Sequence, residues 1–369
     1  MVIGIDASRA NREKKTGTEW YSYHLIQELK KIDHENHYFL YSPNKLKGDL
    51  RKIPFNWQEK VLRWPLKYLW TQIRLSLEMI RNQPEILFIP AHALPLIHPK
   101  KSIITIHDLG FRKLPEIYSW WQRKYYHFVH WFAVKYADKI IVPSEFTKKE
   151  LINLYQAKAE KIFVIPLGYD SKNFQQIQDD DKIKIILEKY RIRKPYLLFV
   201  GRLEKKKNLI NLVEAFEILK KDQRFVDYQL VLVGKSSYEY NKIKSRITNC
   251  QFKSQIIEVG YCSIGDLSYI YSGAEIFIFP SLYEGFGLPL LEAMACGCPI
   301  IASAIPTNLE ISRNSVLFFD PFEPISIVEA IKKIATDSYL REELIRRGLI
   351  RVKDFSWQKT AEKTLVLLK

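Results

Sequence analysis

The chain has 369 residues, of which 47% are hydrophobic and 27% are charged, a composition typical of folded globular proteins rather than disordered or fibrous ones. Its length exceeds that of one ordinary core and favours two domains. It contains no run of about 18 uncharged apolar residues, which argues against a membrane-spanning helix. The N-terminus has strand-like residues without a basic segment before them, so we expect no signal peptide and a cytoplasmic protein.

Basic residues outnumber acidic ones by 57 to 41, which gives a formal net charge of +16. This excess predicts an anionic partner, and nucleic acid, acidic lipid and phosphorylated substrates all remain open at this point. The four cysteines have no histidine or second C-x-x-C motif at metal-ligand spacing. We therefore expect small buried thiols and no metal site, although Cys296-Gly297-Cys298 by itself resembles part of a metal motif.

Short apolar runs alternate with helical patterns along the whole chain, as expected of βα units around a buried parallel sheet. In the first half, these runs predict strands at Val2–Asp6, His37–Tyr41, Ile86–Ile89, Ser102–Ile106, Lys139–Val142 and Lys161–Ile165. In the second half, they predict strands at Tyr196–Val200, Gln229–Val233, Gln255–Val259, Glu275–Phe279 and Pro299–Ala302.

A polar stretch separates the two halves at residues 171–194, which contain three consecutive aspartates and end in a Lys/Arg-rich run before Pro195. We therefore expect an N-terminal domain at 1–170 and a C-terminal domain at 171–352. Residues 353–369 carry apolar side chains at helical spacing and predict a closing amphipathic helix.

The segment Phe279–Gly297 predicts a buried strand, a glycine-containing loop and then a helix. Pro289 suits the first helical turn, where its missing N–H has no intrahelical partner, and Gly297 suits the left-handed residue that ends a helix. Gly285 and Gly287 allow the backbone to approach a ligand closely, and the free N–H groups at a helix start attract an anion. This arrangement predicts an anion site, and we favour a diphosphate as its ligand.

Two glutamates flank this loop, Glu284 before the helix and Glu292 within its first turns. Carboxylates accept hydrogen bonds from hydroxyl groups, which sugars and ribose provide, so their presence beside a diphosphate site indicates a nucleotide sugar. The alternative interpretation is a helix with acidic residues near its start, where they stabilise the helix dipole.

A basic loop, Gly201–Asn208, follows the first strand of the second half. Arg202 at the strand end and Lys207 five residues later can neutralise a pyrophosphate. Alternatively, such a loop is only solvated surface.

Together, the runs Glu284–Gly297 and Gly201–Asn208 and the closing Phe355-Ser356-Trp357 segment resemble family-4 (group 1) retaining glycosyltransferases of the GT-B fold. The resemblance extends over essentially the whole chain. It implies an α/β protein with two Rossmann-like, doubly wound parallel-sheet domains that face each other across a cleft. The first domain would take the acceptor, the second would bind the nucleotide sugar, and the C-terminal helix would pack back on the first.

The resemblance also implies roles for the donor-site residues. Glu292 would hold the ribose hydroxyls, and Arg202 and Lys207 would grip the diphosphate of the donor. Glu284 would hold hydroxyls of the donor sugar, assisted by the amides of Gly285, Phe286, Gly287 and Leu288.

Other positions match the family more loosely. Tyr261 and Cys262 lie where the nucleotide base stacks in the family. His107 ends a strand on the acceptor side, although a strand-end His-Asp pair can also bond only to itself. Gly17 is the one glycine in a loop that is richer in glycine in the family.

The implied reaction is transfer of a hexose to a saccharide or lipid-linked acceptor in cell-surface glycan synthesis. Retention is expected by front-face displacement, without a carboxylate nucleophile, and Arg and Lys would supply the charge that a metal gives elsewhere. We expect no metal and no resident cofactor. The runs Gly4–Ala7 and Thr105–Leu109 look most like mannosyltransferase-type members, which favours GDP-mannose as the donor.

Two other functions remain as alternatives. A GT-B epimerase also binds nucleotide sugars between two such domains, but it needs acid/base carboxylates at the sugar ring. A nucleic-acid-binding protein is compatible with the basic composition, yet the sequence contains no recognised binding module, so we expect no nucleic-acid partner.

Two stretches of the first half, Trp57–Arg81 and Arg112–Lys139, mix aromatic and basic residues densely. One interpretation places the aromatic rings in the core and the cations in water. The other, which we favour, is peripheral docking on an anionic membrane, with rings at the headgroup level. The residues concerned are Trp64, Lys67, Tyr68, Trp70, Arg74, Trp120, Trp121, Arg123, Lys124, Tyr125, Tyr126 and Trp131.

Overall fold

The structure is a computed structural model that describes residues 1–66, 68–91, 93–237 and 239–369. Its chain forms two compact units, one of Met1–Gly168 together with Ser356–Lys369, and one of Tyr169–Phe355. We call these the first and the second unit. The first unit ends at Gly168, two residues before the domain boundary expected at residue 170.

The first unit contains a seven-stranded parallel sheet with the strand order β3-β2-β1-β4-β5-β6-β7. Adjacent strands pair in a regular register, so that Ile3 lies beside Tyr38 on one side and beside Ile86 on the other. The strands are β1 (Val2–Asp6), β2 (His37–Ser42), β3 (Trp57–Val61), β4 (Ile86–Ile89), β5 (Lys101–Thr105), β6 (Lys139–Val142) and β7 (Ile162–Val164).

The second unit contains a six-stranded parallel sheet with the order β10-β9-β8-β11-β12-β13. Every residue of its interior strands β8 and β9 is buried, as expected of a sheet that helices cover on both faces. The strands are β8 (Tyr196–Val200), β9 (Gln229–Val233), β10 (Ile256–Gly260), β11 (Ile276–Phe279), β12 (Ile300–Ser303) and β13 (Leu317–Phe319).

Helices connect the strands. They are α1 (Gly17–Ile32), α2 (Ser76–Arg81), α3 (Gly110–Lys113), α4 (Trp120–Tyr136), α5 (Glu145–Tyr155), α6 (Asp180–Lys189), α7 (Leu209–Leu219), α8 (Tyr240–Thr248), α9 (Ile264–Ser272), α10 (Leu288–Ala295), α11 (Pro306–Ser312), α12 (Pro324–Thr336), α13 (Ser338–Arg351) and α14 (Trp357–Leu368). A π-helical segment, Trp70–Leu75, runs directly into α2. Within the described residues, no helix is long and apolar enough to cross a bilayer.

The two doubly wound parallel sheets confirm the predicted fold class, and all eleven predicted strands are present. The sequence pattern missed β3 and β13, which form one edge of each sheet. An edge strand pairs on one side only and tolerates polar residues such as Gln58, Glu59 and Lys60 of β3, which therefore lacks a continuous apolar run. β13 is apolar but has only three residues, too few for a strand pattern.

The closing helix α14 belongs to the first unit and packs on α1. The ring of Trp357 stacks on His24 at a centroid distance of 5.1 Å and lies 6.0 Å from Tyr21. Gly168 faces the start of this helix, and a Cβ there would lie 2.1 Å from the backbone nitrogen of Trp357. The helix therefore completes the core of the first unit.

Replacement of Trp357 by alanine should destabilise the first unit, because the buried indole fills the space between α14 and α1. We expect the free energy of unfolding to fall by about 3–5 kcal/mol. Urea denaturation followed by circular dichroism measures this change. Val366→Ala, on the exposed face of the same helix, is the control and should change stability little. Equal loss in both variants would contradict this role of Trp357.

Candidate functional site

Three neighbouring strands of the second sheet end in the same way. β8 is followed by Gly201-Arg202 and β9 by Gly234-Lys235, and β10 ends at Gly260 before Tyr261. The strands are parallel and adjacent, so these three side chains follow the same edge of the sheet. The carboxyl edge of a parallel sheet is where ligands of such folds bind.

The glycines are required by the close approach of the loops. Gly234 has a φ of +147°, and a Cβ on it would lie 1.8 Å from the carbonyl oxygen of Gly201. The amide of Gly234 donates to the carbonyl of Gly260 at 2.8 Å, and the amide of Leu203 donates to that of Lys235 at 2.9 Å. Backbone hydrogen bonds thus hold the three loops in one arrangement.

Arg202, Lys235 and Tyr261 are all exposed. The ammonium of Lys235 lies 4.9 Å from the ring centroid of Tyr261, a cation–π contact. In the described part of the chain, neither Arg202 nor Lys235 forms an ion pair. This edge therefore presents two uncompensated cations and an aromatic face, which suit a phosphorylated ligand with a planar ring.

The loops after β8 and β11 are joined by an ion pair. The ammonium of Lys207 donates to the carboxylate of Glu284, and the two side chains are only 12% and 9% exposed. The hydroxyl of Thr307, in α11, donates to the carbonyl oxygen of Glu284 at 2.7 Å. Glu284 is therefore fixed at both its side chain and its backbone, and Lys207 is not a free cation in this state.

The glycine loop leads into α10 as the sequence predicts. Gly287, with a φ of +101°, is the N-cap, Pro289 lies in the first turn and Gly297, with a φ of +65°, follows the C-terminus. The first-turn amides of an α-helix have no intrahelical acceptor. The amides of Phe286, Gly287 and Leu288 belong to this beginning of α10 and its N-cap, so the loop provides backbone donors for an anion.

Glu292 lies in the second turn of α10, where it is half-buried. Burial raises the pKa of its carboxyl to about 7, and the nearby charge of Asp170 acts in the same direction. The hydroxyl of Tyr271, in α9, donates to Oε2 of Glu292 at 3.0 Å and opposes the shift. Glu292 can thus exist in both protonation states near neutral pH, and Tyr271 orients it.

The cysteines are free and buried, as expected. The thiol of Cys262 donates to the carbonyl of Ser263 at 3.3 Å and is buried, whereas the neighbouring Tyr261 is exposed. Among the residues that the structure describes, no group of three or more His, Cys, Asp or Glu side chains is arranged to hold a metal ion.

Two of the sequence-predicted residues lie in the first unit. Gly17 is the first residue of α1, and a Cβ on it would meet nothing within 4 Å, so the space beside it is open. His107 follows β5, and its Nε2 donates to the carbonyl of Pro90 at 2.9 Å. Burial lowers the pKa of His107, which favours the neutral ring and leaves Nδ1 as an acceptor.

The structure therefore brings Lys207 and Glu284 into contact and places Arg202 and Tyr261 at one sheet edge, in the same unit as the 285–288 loop and Glu292. Sequence reasoning missed Lys235, Tyr271 and Thr307. The repeated Val-Gly ending of three strands identifies Lys235 once it is noticed. Tyr271 and Thr307 act through contacts between distant segments, for which the sequence has no local pattern.

Comparison with known proteins agrees with this architecture. The structure is similar to that of sucrose-phosphate synthase from Thermosynechococcus elongatus, with a TM-score of 0.79 and 22% identity over 100% of this chain and 98% of that one. The fold is therefore that of the two-domain GT-B glycosyltransferases. Residues 15–173 match the family described as Glycosyltransferase Family 4, and residues 182–350 match Glycosyl transferases group 1. The chain belongs to these family-4, group 1 glycosyltransferases.

Two curated relatives are mannosyltransferases. The chain is 27% identical over 342 residues to O-antigen chain mannosyltransferase B of Escherichia coli, covering 92% of this chain and 87% of the relative. It is 26% identical over 274 residues to the O-antigen chain mannosyltransferase RfbU of Salmonella typhimurium, covering 74% of this chain and 70% of the relative. The protein is thus mannosyltransferase-like within its family.

The raised pKa of Glu292 has a consequence for stability. Because the folded form holds this proton more tightly than the unfolded chain, Glu292 makes stability fall as the pH rises from about 4.5 to about 7. Glu292→Gln lacks this proton but still accepts the Tyr271 hydroxyl. Relative to the wild type, we expect it to gain on the order of 1–3 kcal/mol in the free energy of unfolding between about pH 5 and about pH 8.

Urea denaturation at the two pH values measures this difference. Glu329→Gln, an exposed position in α12, controls for the loss of one carboxylate. A stability difference between Glu292→Gln and the wild type that is the same at both pH values would show that Glu292 titrates normally.

Proposed function

We propose that the protein is a retaining, metal-independent hexosyltransferase that moves mannose from GDP-mannose to a saccharide or lipid-linked acceptor in the synthesis of a cell-surface polysaccharide. The observation that carries this proposal is the Lys207–Glu284 pair at the sheet edge that bears Arg202, which we call the Arg202 edge. This arrangement combines a carboxylate suited to sugar hydroxyls with cations suited to a diphosphate. The two mannosyltransferase relatives support mannose as the sugar.

The diphosphate of the donor is bound by positive charge and backbone amides. Arg202 supplies an exposed guanidinium, whose planar N–H groups match phosphate oxygens. Lys207 contacts Glu284 and keeps two further N–H donors for the phosphate. The amides of Gly285, Phe286, Gly287 and Leu288 supply the remaining donors at the start of α10.

The sugar and the nucleoside carry no charge and are recognised by hydrogen bonds and by stacking. Glu284 accepts hydrogen bonds from hydroxyls of the sugar, and its fixed position favours one arrangement of them. Glu292 accepts from the ribose hydroxyls. The exposed ring of Tyr261 stacks on the base through one face, and the ammonium of Lys235 lies 4.9 Å from the centroid of the same ring.

The chemical step is front-face displacement. The acceptor hydroxyl oxygen forms a bond to the anomeric carbon on the face from which the diphosphate departs, while the bond from that carbon to the diphosphate oxygen breaks. The proton of the hydroxyl passes to the departing phosphate. Negative charge grows on the diphosphate, and Arg202, Lys207 and the loop amides stabilise it more strongly in the transition state than in the ground state.

Transfer is favoured over epimerisation for a specific reason. An epimerase needs carboxyl groups that are free to exchange protons with the sugar, whereas Glu284 is engaged in an ion pair with Lys207. The Arg202 edge instead stabilises a departing diphosphate, which transfer requires.

The donor assignment can be tested with Arg202→Gln. The wild type should be stabilised thermally by GDP-mannose more than by UDP-glucose or ADP-glucose, since a specific ligand raises stability by mass action. Arg202→Gln should slow the enzymatic release of GDP from GDP-mannose on the order of 100-fold but weaken donor binding much less. GDP release and the shift in melting temperature are the two readouts.

Arg193→Gln is the matched control, because this exposed arginine precedes β8 and lies at the opposite edge of the sheet. It should behave like the wild type. If Arg202→Gln releases GDP at the wild-type rate, or if no nucleotide sugar stabilises the protein, the proposal is wrong.

We further propose that the first unit docks on an anionic membrane through α4. This helix contains no acidic residue and buries fully only Val129 and Ala133. Six aromatic side chains of the helix are between 41% and 76% exposed, namely Trp120, Trp121, Tyr125, Phe128, Trp131 and Tyr136. These six rings lie outside the core, whereas Tyr126 and Phe132 of the same helix are partly buried and pack on it. We call these six side chains the aromatic face.

The other aromatic-basic stretch is mixed. Trp70 is buried, and its Nε1 donates to the carbonyl of Leu62, so this ring belongs to the core as the alternative interpretation holds. Ile73, Leu77 and Ile80 are exposed at helical spacing on the adjoining helix, and Tyr68 is exposed before it. Lys67 lies outside the described residues.

Docking depends on rings at the headgroup level and cations against lipid phosphate. Wild-type protein should co-sediment with vesicles that contain phosphatidylglycerol, release with salt and bind pure phosphatidylcholine vesicles weakly. Trp121→Ser/Trp131→Ser should lose most of this binding. The control is Phe322→Ser/Tyr339→Ser, which removes two exposed rings from the second unit. Equal binding of both double variants, or no wild-type binding to either vesicle, would rule out docking through α4.

A further inference from the structure

The loop between β1 and α1 is anchored by hydrogen bonds of Asn11 and carries two arginines. Asn11 is buried at its centre, and its side chain donates to Ser42 Oγ and to the carbonyl of Lys45, each at 3.0 Å. Its Oδ1 accepts from the amide of Lys47 at 2.8 Å. Arg9 and Arg12 flank Asn11, so the backbone on both sides of the anchor presents a guanidinium from a fixed position.

The two arginines share one carboxylate. Nη1 of Arg9 lies 3.4 Å, and Nη1 of Arg12 3.3 Å, from the same oxygen of Glu19. The other oxygen of Glu19 accepts from the amide and the hydroxyl of Thr16, the N-cap of α1. One negative charge thus serves two cations, and each guanidinium, with five N–H donors, uses only one of them on Glu19.

The Arg9 and Arg12 guanidinium groups repel each other and are partly accessible to solvent. The side chains of Arg9 and Arg12 are 30% and 54% exposed, whereas Glu19 is only 7% exposed. Burial, and after it the positive charge of Arg12, lower the pKa of Arg9. An anion between the two guanidinium groups would remove this repulsion.

The arginine pair and the start of α4 belong to the same edge of the first sheet. The strands of this sheet are parallel, so the loop after β1, which carries Arg9 and Arg12, and the segment after β5, which leads into α4, both follow its carboxyl edge. An anionic site and the start of an apolar surface therefore follow one edge of the first sheet, the edge at which such sheets bind ligands.

We propose that Arg9 and Arg12 form a binding site for the phosphate or diphosphate of a phosphorylated lipid, whose hydrocarbon chain lies on the aromatic face. Within the proposed transferase function, on which this assignment of a role rests, that lipid carries the acceptor sugar. Two planar guanidinium groups bind phosphate oxygens in paired hydrogen bonds, and this geometry distinguishes them from the scattered lysines of the same unit.

A purely structural role explains less of the arrangement. To stabilise Glu19 and the start of α1, one arginine would be enough, because Thr16 already occupies the second carboxylate oxygen. Arg12 is the more exposed partner and adds a second cation where the fold does not need one.

Binding of farnesyl diphosphate to the intact protein tests the site without any nucleotide sugar. The dissociation constant is measured by tryptophan fluorescence below the micelle concentration of the lipid. We expect Arg9→Gln/Arg12→Gln to weaken binding about tenfold or more, and Arg12→Gln alone to weaken it severalfold. Because Arg12 is largely exposed, the single variant keeps the test valid if the double variant does not fold. Farnesol, which lacks the diphosphate, should bind both forms weakly and equally.

Lys149→Gln/Lys158→Gln removes two exposed charges from the same unit and should bind like the wild type. Inorganic pyrophosphate should bind more weakly than farnesyl diphosphate, and Trp121→Ser/Trp131→Ser should abolish that difference. The proposal fails if Arg12→Gln binds farnesyl diphosphate as the wild type does, if the lysine control loses as much affinity, or if pyrophosphate binds as tightly as the lipid. GDP-mannose stabilisation of the same variants reports on the transferase function separately, since it depends on the second unit.

Discussion

The parallel pairing of neighbouring strands is the constraint on which the candidate site depends. Leu197 of β8 lies beside Leu230 of β9 and Ile276 of β11, and this register aligns the ends of all three strands at one edge. The strand interiors are apolar and covered on both faces, so polar side chains are excluded from them. Cations, an aromatic ring and a carboxylate can therefore meet only in the loops at that edge.

The Lys207–Glu284 pair illustrates how such an edge is prepared for a ligand. Taking two charges out of water is unfavourable, and their attraction offsets this only when the geometry is good. Here both partners come from strands that are direct neighbours, and Thr307 holds the backbone of Glu284 from a third segment. The pair fixes in advance the carboxylate that is proposed to bind the sugar, and such fixing reduces the reorganisation that the proposed reaction requires.

The excess positive charge is placed differently in the two units. In the second unit, Arg202 and Lys235 lie at the sheet edge, where a diphosphate donor is proposed to bind. In the first unit, cations accompany exposed aromatic rings on α4, and Arg9 and Arg12 converge on one carboxylate in the loop after β1 and the start of α1. A basic composition alone cannot distinguish these uses, since it gives only the sum of the charges.

The sequence by itself determined the two doubly wound sheets, because buried parallel strands are short apolar runs, and it determined the boundaries of α10, because Pro289 and Gly297 have local conformational preferences. The family motifs identified Arg202, Lys207, Glu284 and Glu292, whose roles remain predictions. Only the tertiary structure decided which charges are compensated: Lys207 is paired, whereas Arg202 has no ion pair among the described residues. It also decided that Tyr271 orients Glu292. In the first unit, it decided that Glu19 joins Arg9 to Arg12. It also decided that Trp70 is buried and Trp121 exposed. These outcomes depend on contacts between residues that are far apart in the chain, and hydrophobic periodicity contains no information about such contacts.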